Sequence, residues 1–403
     1  MHGEEAFFSV FKKAMRLDEE ESAVRRAVLV TGRENTEMAG DGTEKAPSEW
    51  MRQLQRQAVV GDARARFWLG RFMLEDARSE AEEKEGVRWL EMAAVGGYLR
   101  AQLYLGMMYA SRAVGPFDIV QAQKWLEMAA SQNSPMVQLY LGLLYGQGSV
   151  LPRDTGRSLY WTEKAAKSGF AMALFARGLM AAFLEGYPRD DALAARCFRK
   201  AAEQGMAKAQ FYMAKMYWEG RGVPKSDEDA VRWNVLAAEQ ELPEAEFAMG
   251  RMAWLGIGVR QDREWGVMWM DRAAHHGLSD AQYAMGQAYL RGELVEDNVV
   301  TAAAWFYRAA MQGHVQSQLR LAYMYANGIG VGPDRERVAL WLEKATSAGN
   351  AQAREWLTEL ETGQRSSEIG SVPLFSGQTG GGIVRFFSGA VLTGPGLFSM
   401  SPA

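Results

Sequence analysis

The chain has 403 residues, 48% of them apolar and 23% charged, with a formal net charge of −4. This balance supports a full hydrophobic core and excludes the basic face that nucleic-acid recognition ordinarily needs, so nucleic acid is not an expected partner. Cys197 is the sole cysteine, which rules out an internal disulfide and fits a reducing compartment.

The first residues, MHGEEAFFSVFKKAMRLDEEE, lack a cationic start followed by an apolar run, so they do not read as a secretory signal. No stretch of about 18 apolar residues occurs anywhere, and no integral membrane segment is expected. The cytoplasm is the expected location, with secretion by a signal-independent route as the alternative. Phe7, Phe8, Phe11, Ala14 and Met15 share one helical face. They predict either a short helix covering the first hairpin or a docking or membrane-surface helix, though the acidic run Asp18 to Glu21 opposes anionic lipid. Residues 39–47 read as a linker. Residues 1–46 thus form a helical extension and linker, and 47–61 a capping half-repeat.

From residue 62 a fixed spacing takes over. An Ala-Ala pair stands at Ala93-Ala94 and recurs at Ala129, Ala165, Ala201, Ala237, Ala273 and Ala309, each step being 36 residues. Four positions before each pair stand Trp89, Trp125, Trp161, Cys197, Trp233, Trp269, Trp305 and Trp341. Three positions after it stand Gly97, Asn133, Gly169, Gly205, Glu241, Gly277, Gly313 and Gly349. A small-residue column runs Gly70, Gly106, Gly142, Gly178, Ala214, Gly250, Gly286, Ala322, with Tyr109, Tyr145, Tyr217, Tyr289 and Tyr325 three residues further on. Self-similarity of this kind marks a repeat architecture.

Each unit reads as two helices. Ala209, Met213 and Tyr217 fall on one face of the first, and Gly220, Gly222 and Pro224 end it. The column Asp118, Asp154, Asp190, Ser226, Asp262, Asn298, Asp334 suits the N-cap of the second helix, and the Gly205 type of position suits its C-terminal cap. The small column is expected to let helices approach closely, with Trp or Tyr of a neighbour filling the space above. A hairpin this short cannot bury both faces alone, so stacking completes the core. In the first unit the charged run Glu75 to Glu85 replaces the glycine turn and is expected to be mobile.

The unit A-x-A-Q-F/Y-x-L-G-x-x-Y-x-x-G-x-G-V-x-x-D…A-x-x-W-x-x-x-A-A-x-x-G resembles the Sel1-like repeat, a relative of the tetratricopeptide repeat. Unit 314–349 carries it in Ala322, Tyr325, Gly328, Gly330, Val331, Asp334, Trp341 and Ala345. Cys197 departs from the Trp position, and Ala181 and Ala253 from the Tyr position. The resemblance covers residues 62–349 as eight units, with 350–361 as a C-terminal capping helix. It implies an all-α, α/α superhelical solenoid with a groove lined by the first helices. It also implies an adaptor or scaffold that binds one or more proteins or peptides.

By the same likeness, the groove displays the residues just after the glycine and Tyr columns. Met107, Leu143, Leu179 and Phe183 would form an apolar wall, and Lys215, Trp218, Arg251, Trp254, Arg291 and Tyr323 a mixed patch. Trp beside Arg is frequent at interface hot spots; the competing reading is that the tryptophans pack between units. No catalytic, cofactor-binding or metal constellation emerges, so an enzyme is not expected. His275 and His276 align with the pairs Glu203-Gln204 and Glu239-Gln240, expected to face solvent. Their side chains diverge by about 100° on a helix, a poor metal pair. Cys197 reads as a small buried hydrophobe.

The tail, residues 362–403, is rich in Gly, Ser and Phe and nearly free of charge. It predicts a disordered segment; a fold-back into the groove, a partner-binding segment or an export signal are the alternatives. The function expected is a non-enzymatic interaction scaffold. The rival is a translocated bacterial effector or a secretion-associated protein of chaperone-like or immunity-like kind. Oligomeric state is not encoded in these patterns.

Overall fold

A computed structural model describes residues 49–110, 118–184, 189–292 and 298–362. The expectations for residues 1–46 and for the tail beyond Thr362 lie outside these. The described residues form eighteen helices and no strand. They divide into two compact units after Ser168.

The first unit opens with α1 (Glu49–Val60) and continues through α2 (Ala63–Asp76), α3 (Glu80–Val95), α4 (Leu99–Ala110), α5 (Ile119–Ser131), α6 (Pro135–Gln147) and α7 (Thr155–Lys167). Its core runs from Phe67 and Trp68 through Leu105, Trp125 and Leu141 to Trp161. Ala58 of α1 closes one end against Ala65 and Leu69.

The second unit comprises α8 (Ala171–Phe183), α9 (Asp191–Glu203), α10 (Ala207–Glu219), α11 (Asp227–Ala238), α12 (Pro243–Leu255), α13 (Arg263–His275), α14 (Ser279–Arg291), α15 (Val299–Met311), α16 (Val315–Asn327), α17 (Arg335–Ser347) and α18 (Ala351–Thr362). Its core is built from successive clusters, around Met249 and Trp269, around Trp254 and Trp305, and around Phe306, Trp341 and Trp356.

The capping columns do what their chemistry dictates. Asp118, Asp154, Asp190, Ser226, Asp262, Asn298 and Asp334 each accept an orphan N–H at the start of a second helix. Their own N–H groups donate back to the first helix, as Asp154 does to the Tyr145 carbonyl at 3.0 Å. The hairpin is therefore clasped at its turn by side chain and main chain together. Gly205 closes α9 in the left-handed region at φ +87°, and even Glu241 adopts φ +60° at the matching place. In the G-x-G turns of the second unit, Gly222, Gly258 and Gly330 press on the carbonyls that open α9, α11 and α15, where a β-carbon would collide with the main chain.

Two expectations are corrected. The small column does not face Trp or Tyr. Its partner is the residue just after the Trp column: a β-carbon on Gly106 would sit 2.6 Å from Leu126, and one on Gly178 the same distance from Phe198. The helices of a hairpin cross so that the position after Trp points inward. The Tyr hydroxyls instead reach back one hairpin, Tyr145 donating to Glu127 at 2.6 Å and Tyr109 to Glu91 at 3.1 Å. Burial, reinforced by those carboxylates, pushes both hydroxyls up to about 12.

The second correction concerns the charged run Glu75 to Glu85. Most of it is helix: Glu75 and Asp76 end α2, residues 77–79 turn the chain, and Ser79 accepts from the Glu82 N–H to start α3 at Glu80 with three glutamates in its first turn. Negative charge there complements the helix dipole.

Candidate functional site

A glutamine near the start of five of the eight first helices ties each to the helix before it. Gln102 donates to the Ala94 carbonyl at 2.9 Å, and Gln138, Gln210, Gln282 and Gln318 repeat the bond to Ala130, Ala202, Ala274 and Ala310. These side chains satisfy carbonyls at the end of the preceding helix that no helical N–H can reach. Each of three also accepts an amide from 30 residues further on, from Gln132, Gln240 and Gln312. Among the repeats that depart from this pair, one carries Glu246 and His276. Glu246 is fully buried, with His276 Nδ1 at 2.7 Å and Arg272 at 3.1 Å from its two oxygens. Both histidines are exposed as expected, but His276 also anchors a buried carboxylate, a role its alignment with Gln204 did not suggest.

In the second unit, α10 and α12 lie one repeat apart and frame a cleft. From α10 come Phe211, Ala214, Lys215 and Trp218; from α12 come Glu244, Phe247, Ala248, Arg251, Met252 and Leu255, with Asn234 of α11 and Ile257 completing the lining. The spacings of three and four place each set on one helical stripe. The Arg251 guanidinium lies 5.8 Å from the centre of the Trp218 ring, a cation–π arrangement. Lys215 approaches Glu219 at 3.9 Å. Burial lowers the Lys215 ammonium from its ordinary value, against the pull of Glu219. It brings Arg251 down to about 10, outweighing Asp280.

Of the ten side chains expected in a groove, Lys215, Trp218 and Arg251 thus come together. Phe183, 45% exposed, stands beside them with Arg221 and Lys215 over its ring at 5.4 and 6.0 Å. Leu179 is half-buried on the same helix, α8. Trp254 goes elsewhere: it is buried with Met270, Met285 and Trp305 beneath Arg263, so little of it is offered to a ligand. Tyr323 is likewise buried, and Arg291 is exposed at the end of α14. In the first unit, Leu143 is exposed while Met107 is buried, its sulfur accepting the Tyr140 hydroxyl at 2.7 Å. Cys197 is buried, and that burial pushes its thiol up.

Asn234 was not singled out in the sequence. It occupies the position after Trp, where other hairpins place Leu90, Leu126, Thr162, Phe198, Met270, Phe306 and Leu342. A polar residue in a mostly apolar column is the signal that identifies it, and Thr162 is a second such departure, also buried. It is 5% exposed, its Nδ2 donates to the Met252 sulfur at 3.4 Å, and its Oδ1 is buried with no hydrogen bond. Among the described residues, no group of three or more His, Cys, Asp or Glu is arranged to hold a metal, and no helix is long and apolar enough to cross a membrane.

Stacked two-helix repeats with an apolar, partly cationic cleft between first helices define an α-helical repeat solenoid. The Sel1 repeat matches eight consecutive segments, from residues 63–98 through 315–350. The chain belongs to the Sel1 repeat family. Among solved structures, a Sel1 repeat protein from Oxalobacter formigenes is 53% identical; the match covers 80% of this chain and 97% of that one with a TM-score of 0.72. The protective antigen c5321, present in uropathogenic Escherichia coli strains, is 28% identical over 79% of this chain and 69% of its own, with a TM-score of 0.60. No curated protein matches the chain.

Proposed function

We propose that the chain is a non-enzymatic scaffold that holds a segment of a partner protein in the cleft between α10 and α12. Folds of this family commonly serve as protein–protein interaction modules. The observation that carries the reading is the convergence of Lys215, Trp218 and Arg251 on one cleft with Phe211, Phe247 and Leu255. Aromatic and Arg side chains are the residue types that dominate binding energy at interfaces. Low exposure of both cations means they are already partly desolvated before a partner arrives, which lessens the cost of association.

A photo-crosslinking residue placed at Ala248, on the cleft, tests this in the native cell. Covalent adducts with a discrete partner are expected there, and they should disappear with Trp218→Ala. The same probe at Arg232, exposed on α11, should give none. Equal adducts from both positions, or adducts indifferent to Trp218, would refute the assignment.

A further inference from the structure

We infer that, without a partner, the α10–α12 cleft is occupied by residues 383–387 of this same chain, with Val384 and Phe386 seated between the two helices. This rests on the scaffold reading and adds that a partner must displace the segment.

The cleft asks for a neutral, apolar occupant. Its two cations are engaged within the chain: Lys215 approaches Glu219 at 3.9 Å, and Arg251 lies over the Trp218 ring and is drawn by Asp280. What the lining leaves to a ligand is chiefly Phe211, Trp218, Phe247, Leu255 and Ile257. Open apolar surface of this kind gains by being covered.

Residues 363–403 supply such an occupant. Arg365, Glu368 and Arg385 are their only charged residues, and Phe375, Phe386, Phe387 and Phe398 run through them. In an extended peptide, neighbouring side chains point to opposite sides. Val384 and Phe386 therefore share one side, and Arg385 takes the other, away from Lys215 and Arg251. Gly380, Gly381 and Gly382 precede the segment and give the chain freedom to turn into the cleft.

Reach selects this segment. The helices from α12 to α18 pack one against the next. At about 10 Å per step, with the length of α18 lying across that direction, Thr362 stands within roughly 65 Å of the cleft. An extended chain advances about 3.3 Å per residue, which carries Phe386 roughly 80 Å from Thr362 and Phe375 only about 43 Å. Phe386 spans the gap whatever the curvature, and Phe375 does not. Segments further along also reach, but a longer loop loses more entropy on closing. The tether raises the local concentration of the segment to about the millimolar range, so a partner competes against an occupant already at hand.

The test uses the purified full chain, with the photo-crosslinking residue at Ala248 and no other protein present. Mass spectrometry should find the adduct on residues 383–387. Mixing isotopically labelled and unlabelled chains should give no mixed pairs, because the bond forms within one chain. The double variant Val384→Ser, Phe386→Ser lies beyond α18 and should cut the adduct at least about tenfold. Absence of this adduct, adducts spread evenly along residues 363–403, indifference to the double variant, or mixed pairs would overturn the inference. In the native cell, a chain ending at Thr362 should give severalfold more partner adduct at Ala248 than the full chain; an equal yield would contradict displacement. If the adduct within the chain fails while partner adducts still need Trp218, the scaffold reading survives. If neither adduct forms, both readings fall.

Discussion

The hairpin at residues 99–134 and the pair at 207–278 place different chemistry on the same register. In the first, Gly106 lies against Leu126, and Gln132 donates to Gln102, so the column is sealed. In the second, Ala214 and Asn234 stand where that glycine and leucine were, and Glu246 with His276 replaces the two glutamines one repeat later. The cleft opens beside these changes. The cleft thus lies where substitutions within the repeat register, rather than an added element, change the packing.

The largest expected effect comes from stripping the partners of Glu246. The double variant Arg272→Ala, His276→Ala leaves a fully buried carboxylate uncompensated and should lower stability by about 3 kcal/mol. Gln132→Ala, the matching deletion in the sealed hairpin, removes a neutral bond and should cost about 1 kcal/mol. Replacing both Glu246 and His276 with Gln should recover most of the loss. Urea unfolding midpoints measure all three. Similar losses for the ion-paired and neutral sites would erase the distinction.

The next effect is steric. Gly106→Ala drives a β-carbon to 2.6 Å from Leu126 and should cost about 2 kcal/mol. Ala214→Gly at the open site gains no packing relief and should lose about 1 kcal/mol of helix propensity. The ranking would be contradicted by a neutral Gly106→Ala.

The smallest effect is a pH dependence. Hydrogen bonds from Arg221 and Arg189 hold the Asp191 carboxyl down at about 2, and Arg221 sits at 2.7 Å from it. A depressed folded-state value means the stabilisation is complete above the ordinary Asp value near pH 4. It is lost as pH falls through about 2. Solvent screening limits it to less than about 1 kcal/mol. Asp191→Asn should therefore differ from the parent at neutral pH and match it near pH 2 in thermal unfolding.

The repeat spacing, the hairpin, the Asp and Asn caps and the left-handed glycines were all legible in the sequence. Each obeys a local rule that residue type and spacing express directly. The partner of the glycine column was not, because the crossing of two helices decides whether Trp125 or Leu126 points inward. The helix through Glu80 to Glu85 was obscured because a charged run satisfies an N-terminal helical turn as well as a loop. Three of the cleft residues could be reached by likeness of register, yet Trp254 shows the limit. One repeat after Trp218, the same position is turned into the core by the packing of Met270 and Trp305. Asn234 was overlooked because attention to residues that keep the pattern hides those that break it inside the core.

The central claim is that Asn234 holds an acceptor its own fold leaves unsatisfied. Thermal unfolding of Asn234→Leu tests it most directly: restoring the apolar residue found at Leu126 should raise stability by about 1 kcal/mol. A fall in the unfolding temperature would mean that the amide already serves the fold, and that no ligand is needed to complete it.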